Sequence, residues 1–294
     1  MRTIKRIFYV VLILVAGWIF WSLCSHRMPW KQVPETAHQL SILTYNTHAM
    51  MLGSSVDEKY KMLEYINQQN ADIVCLQEVV VYKDPEKLTL PALRDAMKQY
   101  PYTYYDFKLY NSTRQFGNVV FSRYPLTNKQ TILYESKSNI SSQCDVLVND
   151  DTLRLIVNHL ESFKFTGEDL KLDTLSIDEI KNSSLNKKIS TSSTLRRQQA
   201  KAIRNAVRQS PHPTIVVGDF NAIPLSHVYW HIKLGMRDCF AESSFGRLGN
   251  TYKKGPLGLR IDYILCTRDL TPIKSEVDRV KYSDHFPLSA TIGW

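Results

Sequence analysis

Thr214-Ile215-Val216-Val217-Gly218-Asp219-Phe220-Asn221 is a strand-like apolar run that ends in a carboxylate and an amide. A short continuous apolar run closed by glycine reads as a buried strand. The polar residues at its end then sit where the chain leaves the core. The same design recurs on both sides. Upstream, Leu43-Thr44-Tyr45 ends in Asn46, Ile73-Val74-Cys75-Leu76 ends in Gln77-Glu78, and Leu155-Ile156-Val157 ends in Asn158-His159. Downstream, Asp262 follows Arg260-Ile261, and Ser283-Asp284-His285 precedes the strand-like Leu288–Ile292. Six strand termini each deliver a carboxylate, an amide or an imidazole, and packed strands can bring such ends to one rim. A histidine touching an aspartate can be held in one tautomer and serve as a base near neutral pH. Adjacency makes Asp284 the first candidate partner of His285.

Between these termini, short apolar runs alternate with amphipathic stretches. Strands are expected at 40–45, 71–76, 102–109, 118–122, 129–134, 143–148, 152–158, 214–217, 261–266 and 288–292. Helices are expected at 56–70, where Tyr60, Leu63 and Ile66 recur along one face, at 91–100 with Pro91 at its start, and at 193–209. Asn149-Asp150-Asp151 has turn chemistry and joins two arms of a hairpin. So many strands with so few helices exceed one open sheet. They predict an α/β fold of two packed sheets with helices outside. A polar stretch, 164–191, interrupts the rhythm and reads as an insertion or lid. No repeat or linker divides residues 39–294, so one domain is expected there.

The N-terminus has a different character. Arg2, Lys5 and Arg6 precede eighteen residues, Ile7 to Cys24, without a charge. At 1.5 Å per residue that run measures about 27 Å, close to the hydrocarbon thickness of a thin bilayer. Trp18 and Trp21 near its far end suit an interfacial belt, and basic residues before the span place the N-terminus in the cytoplasm and the body outside. A cleaved signal peptide is the rival reading, but its apolar region is about 7–15 residues long and ends in small residues. Lipidation at Cys24 is a further alternative, against which stand the bulky residues of Trp21-Ser22-Leu23. The expected organisation is therefore an anchor at 1–25, a spacer at 26–38 containing Pro29 and Pro34, and the domain at 39–294.

Net charge is +9, and the three basic residues of the first six leave +6 for the rest. A basic body suits phosphate-bearing partners, although a solvated lysine-rich surface has the same composition. The helix at 193–209 carries Arg196, Arg197, Lys201, Arg204 and Arg208, a basic face open to either reading. The five cysteines are widely spaced with no CxxC, so no zinc framework is present. Cys75 and Cys266 read as buried thiols, and a pairing such as Cys144 with Cys239 stays open.

Taken in order, the segments Thr44-Tyr45-Asn46, Leu76-Gln77-Glu78, Gly117-Asn118 with Phe121-Ser122-Arg123-Tyr124-Pro125, Asn158-His159-Leu160, Gly218-Asp219-Phe220-Asn221, Arg260-Ile261-Asp262-Tyr263 and Ser283-Asp284-His285 resemble the endonuclease/exonuclease/phosphatase (DNase I-like) superfamily. Each is weak alone; the ordered set across about residues 40–294 is specific. The resemblance implies a four-layer α/β sandwich and metal-dependent hydrolysis of phosphate esters. By resemblance, Glu78 is the principal ligand of Mg²⁺, or Mn²⁺, with Asn46 and Asp284 completing the shell. A hard cation suits such oxygen donors better than zinc does. By the same resemblance His285 is base or phosphate-polarising imidazole, Asp262 orients it, and Asp219 positions or deprotonates the attacking water. Asn221 donates to a phosphate oxygen, and His159 contacts the phosphate or assists the leaving oxygen. Arg114, Asn118 and Asn158 are candidate substrate contacts.

The expected function is a membrane-anchored, extracytoplasmic phosphoesterase, acting as a monomer on a phosphodiester or phosphomonoester by in-line water attack. Nucleic acid, a phospholipid head group and a small phosphoester are all open as substrates. An anchor that puts the body outside argues against a chromosomal repair nuclease. The alternative is a catalytically inactive, membrane-tethered phosphate-ligand-binding protein of the same fold.

Overall fold

The computed structural model describes residues 2–28, 30–51, 54–136, 139–162, 184–253 and 258–294. Helix α1 (Arg2–Leu23) precedes the body, and its apolar side chains from Ile7 to Phe20 are largely exposed. Two six-stranded sheets follow. The first contains β1 (Gln39–Asn46), β2 (Ile73–Tyr82), β3 (Tyr102–Asn111), β4 (Arg114–Ser122), β11 (Thr271–Val277) and β12 (Leu288–Gly293), in the order β11-β12-β1-β2-β4-β3. The second contains β5 (Leu126–Ile132), β6 (Ile140–Val148), β7 (Asp151–His159), β8 (Thr214–Asp219), β9 (Met236–Asp238) and β10 (Asp262–Thr267), in the order β5-β6-β7-β8-β10-β9.

The two sheets follow one plan. β1 and β2 are parallel, which demands a crossover, and α2 (Val56–Gln68) provides it; β7 and β8 are parallel, with α4 (Ser184–Gln209) between them in the chain. Ser55 caps α2 in a reciprocal capping box with Glu58, so two otherwise orphaned N–H groups are satisfied where the helix begins. α3 (Leu90–Ala96) is capped by Thr89 and α5 (His227–Lys233) by Ser226.

Strands in these positions are buried on both faces, which is why they read as nearly unbroken apolar runs. Alternate side chains divide between layers. Ile42, Ile73, Cys75, Leu155, Val157, Ile215 and Val217 meet between the sheets. Leu43, Tyr45, Val74 and Leu76 instead pack on Met62, Leu63 and Ile66 of α2 and Leu93 of α3. Ile156 and Val216 pack on Ala200 and Ile203 of α4 and on Tyr229 and Ile232 of α5. This is the four-layer α/β sandwich that the ordered motifs imply.

Several boundaries differ from the sequence reading. β2 does not stop at Leu76 but continues through a bulge to Tyr82. α4 begins at Ser184, inside the expected 164–191 insertion; residues 164–183 of that insertion lie outside the described residues. β9, β11 and α5 have no counterpart in the expectation. β9 is three residues long, and β11 is an edge strand with Pro272 beside a bulge, so neither has a legible period. All five cysteines are free thiols, and Cys239 Sγ lies 3.9 Å from Cys266 Sγ, not against Cys144.

Candidate active site

Parallel strands β1 and β2, and β7 and β8, point their carboxyl ends to one rim, the general location of ligand sites in α/β sheets. Register brings the polar termini level. Asn46 lies opposite Gln77, His159 opposite Asp219, and Asp262 opposite Asp219. The loop before β12 adds Ser283, Asp284 and His285, tied down where the Ser283 hydroxyl donates to the Asn46 carbonyl at 2.9 Å.

The backbone is shaped for this rim. Glu78 sits in the β2 bulge at φ 55°, Asn221 at φ 48°, and His48, Ala49 and Met50 form a left-handed turn after β1. Among the described residues the other non-glycine positions at positive φ are Asn70, Asn128 and Asn149, whose side chains tolerate that region. A non-glycine residue there costs about 1–3 kcal/mol and persists where its surroundings hold it, commonly at functional sites. Gly218, one residue before Asp219, has φ +117°, and a Cβ on it would lie 2.1 Å from the Asn158 carbonyl oxygen. Only glycine lets β7 and β8 approach this closely beneath the site.

The polar groups form two linked clusters. In the first, the His285 Nδ1–H group donates to Asp262 Oδ2 at 2.8 Å, and His285 Nε2 points towards Asp219 Oδ2 at 3.8 Å. In the second, the Asn46 amide donates to Asp219 Oδ2 at 3.0 Å and to Glu78 Oε1 at 3.1 Å, and His159 Nε2 lies 3.2 Å from the same Glu78 oxygen. Asp219 is therefore shared. Its Oδ1 accepts the Asn221 backbone N–H at 2.7 Å, and its Oδ2 accepts the Asn221 amide at 3.1 Å. Asp219, Asp262 and His285 offer ligand atoms within 4.8 Å of one another.

Charge follows from this geometry. Burial works against the charged form of His285, but the Asp262 and Asp219 carboxylates outweigh it and raise its pKa to about 10. Burial and the nearby Asp262 charge push Asp219 up to about 6 against the opposing pull of His285 and His159. Burial would raise Glu78, yet its hydrogen bond to His159 and the charges around it hold it down at about 2. His159, in turn, is raised by Glu78 against burial. The rim thus pairs imidazolium with carboxylate on each side of Asn46.

Some expected residues do other work. Asp262 is free to orient His285 because Arg260, two residues earlier, turns away to Asp238 at 2.7 Å. Asp284 is not the partner of the His285 ring; it lies on the rim, 3.3 Å from His48 Nδ1. Asn221 donates its side-chain amide to Leu160 O at 2.9 Å and to Asp219, so both its hydrogens are committed and it positions Asp219. His159 faces Glu78, where a phosphate contact was expected.

Asn118 is buried, with its amide directed to Ile140 O, Val157 O and Ser142 Oγ, and Asn158 is buried with its amide on Val217 O. These two amides join β4 to β6 and β7, and β7 to β8. Neither reaches the rim as the substrate contact expected of it. Arg114 pairs in register with Tyr82, four residues along β2 from Glu78, and lines a cavity of about 390 Å³ with Lys83 and Pro91 outside the cluster.

Four contributors had no legible motif. Thr251 accepts the N–H groups of Ile261 and Asp262 on its hydroxyl, at 3.1 and 3.0 Å. The Tyr252 ring packs 4.8 Å from the His285 ring. Arg196, drawn from the basic helix, is buried and donates to the Asn221 carbonyl, so part of that face is turned inward. Burial lowers its pKa to about 10, which leaves it protonated at neutral pH. His48, a residue without an assigned role in the sequence, stands beside Asp284. Each acts through a contact that only folding creates.

Comparison with known proteins identifies the family and the fold. Residues 43–285 match the profile of the Endonuclease/Exonuclease/phosphatase family. Among solved structures, an endonuclease/exonuclease/phosphatase from Beutenbergia cavernae superposes with a TM-score of 0.65 at 17% identity, covering 87% of this chain and 71% of that one. Truncated TDP2 from Caenorhabditis elegans gives 0.63 at 16% identity, covering 88% and 99%. The human Nocturnin catalytic domain with bound sulfate gives 0.57 at 18% identity, covering 86% and 94%. At these identities the likeness carries the fold alone. No curated protein matches the sequence.

Proposed function

This chain belongs to the endonuclease/exonuclease/phosphatase family, and from that premise we propose that it is a divalent-metal-dependent phosphoesterase working by in-line attack of water on phosphorus. One observation carries the reading: a continuous polar path, Asp262–His285–Asp219–Asn46–Glu78–His159, assembled on one rim from strand ends, the β2 bulge and the loop before β12.

The donor set fits a hard cation. Glu78 and Asp284 offer carboxylate oxygens, and among the described residues nothing donates to Glu78 Oε2 or Asp284 Oδ2. Asn46 would add its Oδ1, which here accepts the His48 N–H at 2.9 Å, while its NH2 group faces Glu78 and Asp219. Mg²⁺, or Mn²⁺, is the proposed ion. When bound it neutralises phosphate charge and orients the leaving oxygen. The Asp219–Asp262–His285 trio is a poorer cage, since its imidazole proton and the Asn46 and Asn221 amides already use the facing oxygens.

The chain's own groups divide the remaining work. Asp219, with a pKa near neutrality and oriented by Asn221 and Asn46, takes the proton of the attacking water. His285, kept cationic by Asp262, presents Nε2 to a phosphate oxygen. His159 fixes the Glu78 carboxylate. The body is read as standing outside the cytoplasmic membrane as a monomer, anchored by α1, with nucleic acid, phospholipid head groups or small phosphoesters as substrate classes.

The test uses detergent-solubilised full-length protein with Mg²⁺ and bis(p-nitrophenyl) phosphate, alongside DNA, sphingomyelin and phosphoinositide. His285→Ala should lose on the order of 10²–10⁴-fold in rate, and chelation should abolish turnover. Equal rates in wild type and variant, or indifference to chelator, would refute the mechanism. Phosphate binding without turnover of any substrate would establish the inactive ligand-binding reading instead.

A further inference from the structure

The end of α1 is built into the catalytic body. Ser22, Cys24 and Ser25 are buried. The Ser25 N–H donates to Arg247 O at 2.8 Å, His26 N–H to Ala241 O at 2.7 Å and Arg27 N–H to Ser244 O at 2.7 Å, while Gly246 N–H donates back to Ser25 O at 2.8 Å. The Ser25 hydroxyl accepts from Ser244 Oγ and from Arg247 N–H, both at 3.0 Å. The Arg27 guanidinium donates to the carbonyls of Pro272 and Ile273. Beneath this seam, Arg260 is 3% exposed, pairs with Asp238, and extends Nη2 to the Ser22 carbonyl at 3.4 Å. A segment read as the start of a spacer is therefore stitched to the domain.

The body segment clasped to the helix end carries an exposed tip, Phe245-Gly246-Arg247-Leu248. Gly246 turns the tip at φ +72°. Phe245 is 47% exposed and Leu248 44%, with the cationic Arg247 between them. Its position relative to a bilayer follows from chain length. The apolar window of α1 is Arg6–Leu23, eighteen residues, or about 27 Å of helix, enough for the hydrocarbon layer. Ser25 lies two residues farther, at most about 7 Å of chain, and the head-group layer beyond the hydrocarbon is about 5–8 Å deep. Groups hydrogen-bonded to Ser25 have no room to stand clear of that layer.

We propose that Phe245, Arg247 and Leu248 form a membrane-docking tip seated in the head-group layer of the bilayer that α1 spans, a proposal that rests on the spanning reading of α1. Phe245 and Leu248 enter the interface, and Arg247 meets lipid phosphate. The consequence reaches the chemistry. Thr251, three residues beyond Leu248, supports Asp262 through its N–H, and Tyr252 packs on His285. The catalytic rim is thereby held at the membrane surface in one orientation, not hung from a flexible tether.

Full-length protein in phosphatidylcholine–phosphatidylglycerol vesicles tests this with single labels. The five native cysteines are buried, so bimane on Phe245→Cys, Arg247→Cys or Leu248→Cys reports the tip. Leu133→Cys, 86% exposed at the end of β5 on the opposite edge of its sheet, reports the body, and Ile13→Cys the middle of α1. Lipids with head-group nitroxides should quench the tip labels several-fold more than the Leu133→Cys label, and acyl-chain nitroxides should quench the Ile13→Cys label. Tip labels quenched no more than Leu133→Cys, with Ile13→Cys quenched, would overturn the docking tip and leave the span standing. An unquenched Ile13→Cys would overturn both. Three tip positions guard against one label disturbing the fold.

Discussion

Replacing Asp262 by asparagine removes one charge and keeps a hydrogen-bond acceptor for His285 Nδ1, so it separates electrostatics from orientation. His285 is raised from 6.5 to about 10, a gap that corresponds to roughly 5 kcal/mol in favour of the imidazolium. Its side chain is only 7% exposed, so solvent screens little of this. Opposite charges near contact in a partly polar interior attract by about 4 kcal/mol, and Asp262 at 2.8 Å is the largest stabilising contributor. Losing it should bring His285 down to about 7, with Asp219 at 3.8 Å supplying what remains.

If the cationic ring is the active form, the alkaline limb of kcat/KM should move from about pH 10 to about pH 7. At pH 8 the variant should then run roughly tenfold below wild type and recover below pH 6.5. Asp262→Ala, which removes the acceptor as well, should stay depressed at every pH. The assay is kcat/KM for an aryl phosphodiester from pH 5.5 to 10, with an imidazole NMR titration of His285 beside it. An Asp262→Asn profile whose alkaline limb still lies near pH 10 would show that Asp262 is not what keeps His285 charged.

Two further outcomes follow from the same geometry. Glu78 has a folded value of about 2, below its unfolded value of about 4.3. Its contribution is therefore present above pH ~4.3 and is lost as pH falls towards 2. Glu78→Gln should cost up to roughly 3 kcal/mol near pH 6, a deficit that in urea titrations narrows through pH ~4 and ~3 and closes towards pH ~2; Mg²⁺ or Mn²⁺ binding by calorimetry should weaken at the same time. Gly218→Ala sets a Cβ 2.1 Å from Asn158 O at φ +117°, so a loss of about 3 kcal/mol, or roughly 6–12 °C in Tm by calorimetry, is expected; an unchanged Tm would mean that β7 and β8 can part there at no cost.

Much of the fold was legible because its strands are buried on both faces, and apolar runs such as Ile215–Val217 have no polar residue to hide them. The rim was legible for a related reason. Asn46, Glu78, His159, Asp219, Asp262 and His285 each follow or precede such a run, and a polar residue at the end of a buried strand has few places to go. The β9 and β11 edges and α5 were not legible, since three residues, or a strand interrupted by Pro272, carry no period. The inward turn of Asn118 and Asn158 was not legible, since a polar residue near a strand end looks the same whether it faces the rim or a neighbouring strand's carbonyl.

What the sequence determined by itself was the set of chemical groups, their order, and the apolar helix ahead of them, for these depend on local patterning. Partnership has no mark in local patterning: the family resemblance alone pointed from His285 to Asp262, and the tertiary structure is what brings the two together. His285 is adjacent to Asp284 in the chain, yet its ring is held by Asp262, because β10 and the loop before β12 bring that carboxylate to 2.8 Å while Arg260 is drawn off to Asp238. The docking of Ser22–Arg27 onto residues 241–247 is likewise a product of folding. Hydrogen bonds between segments more than two hundred residues apart leave no mark in the pattern of either segment, and they set where the candidate site stands relative to α1.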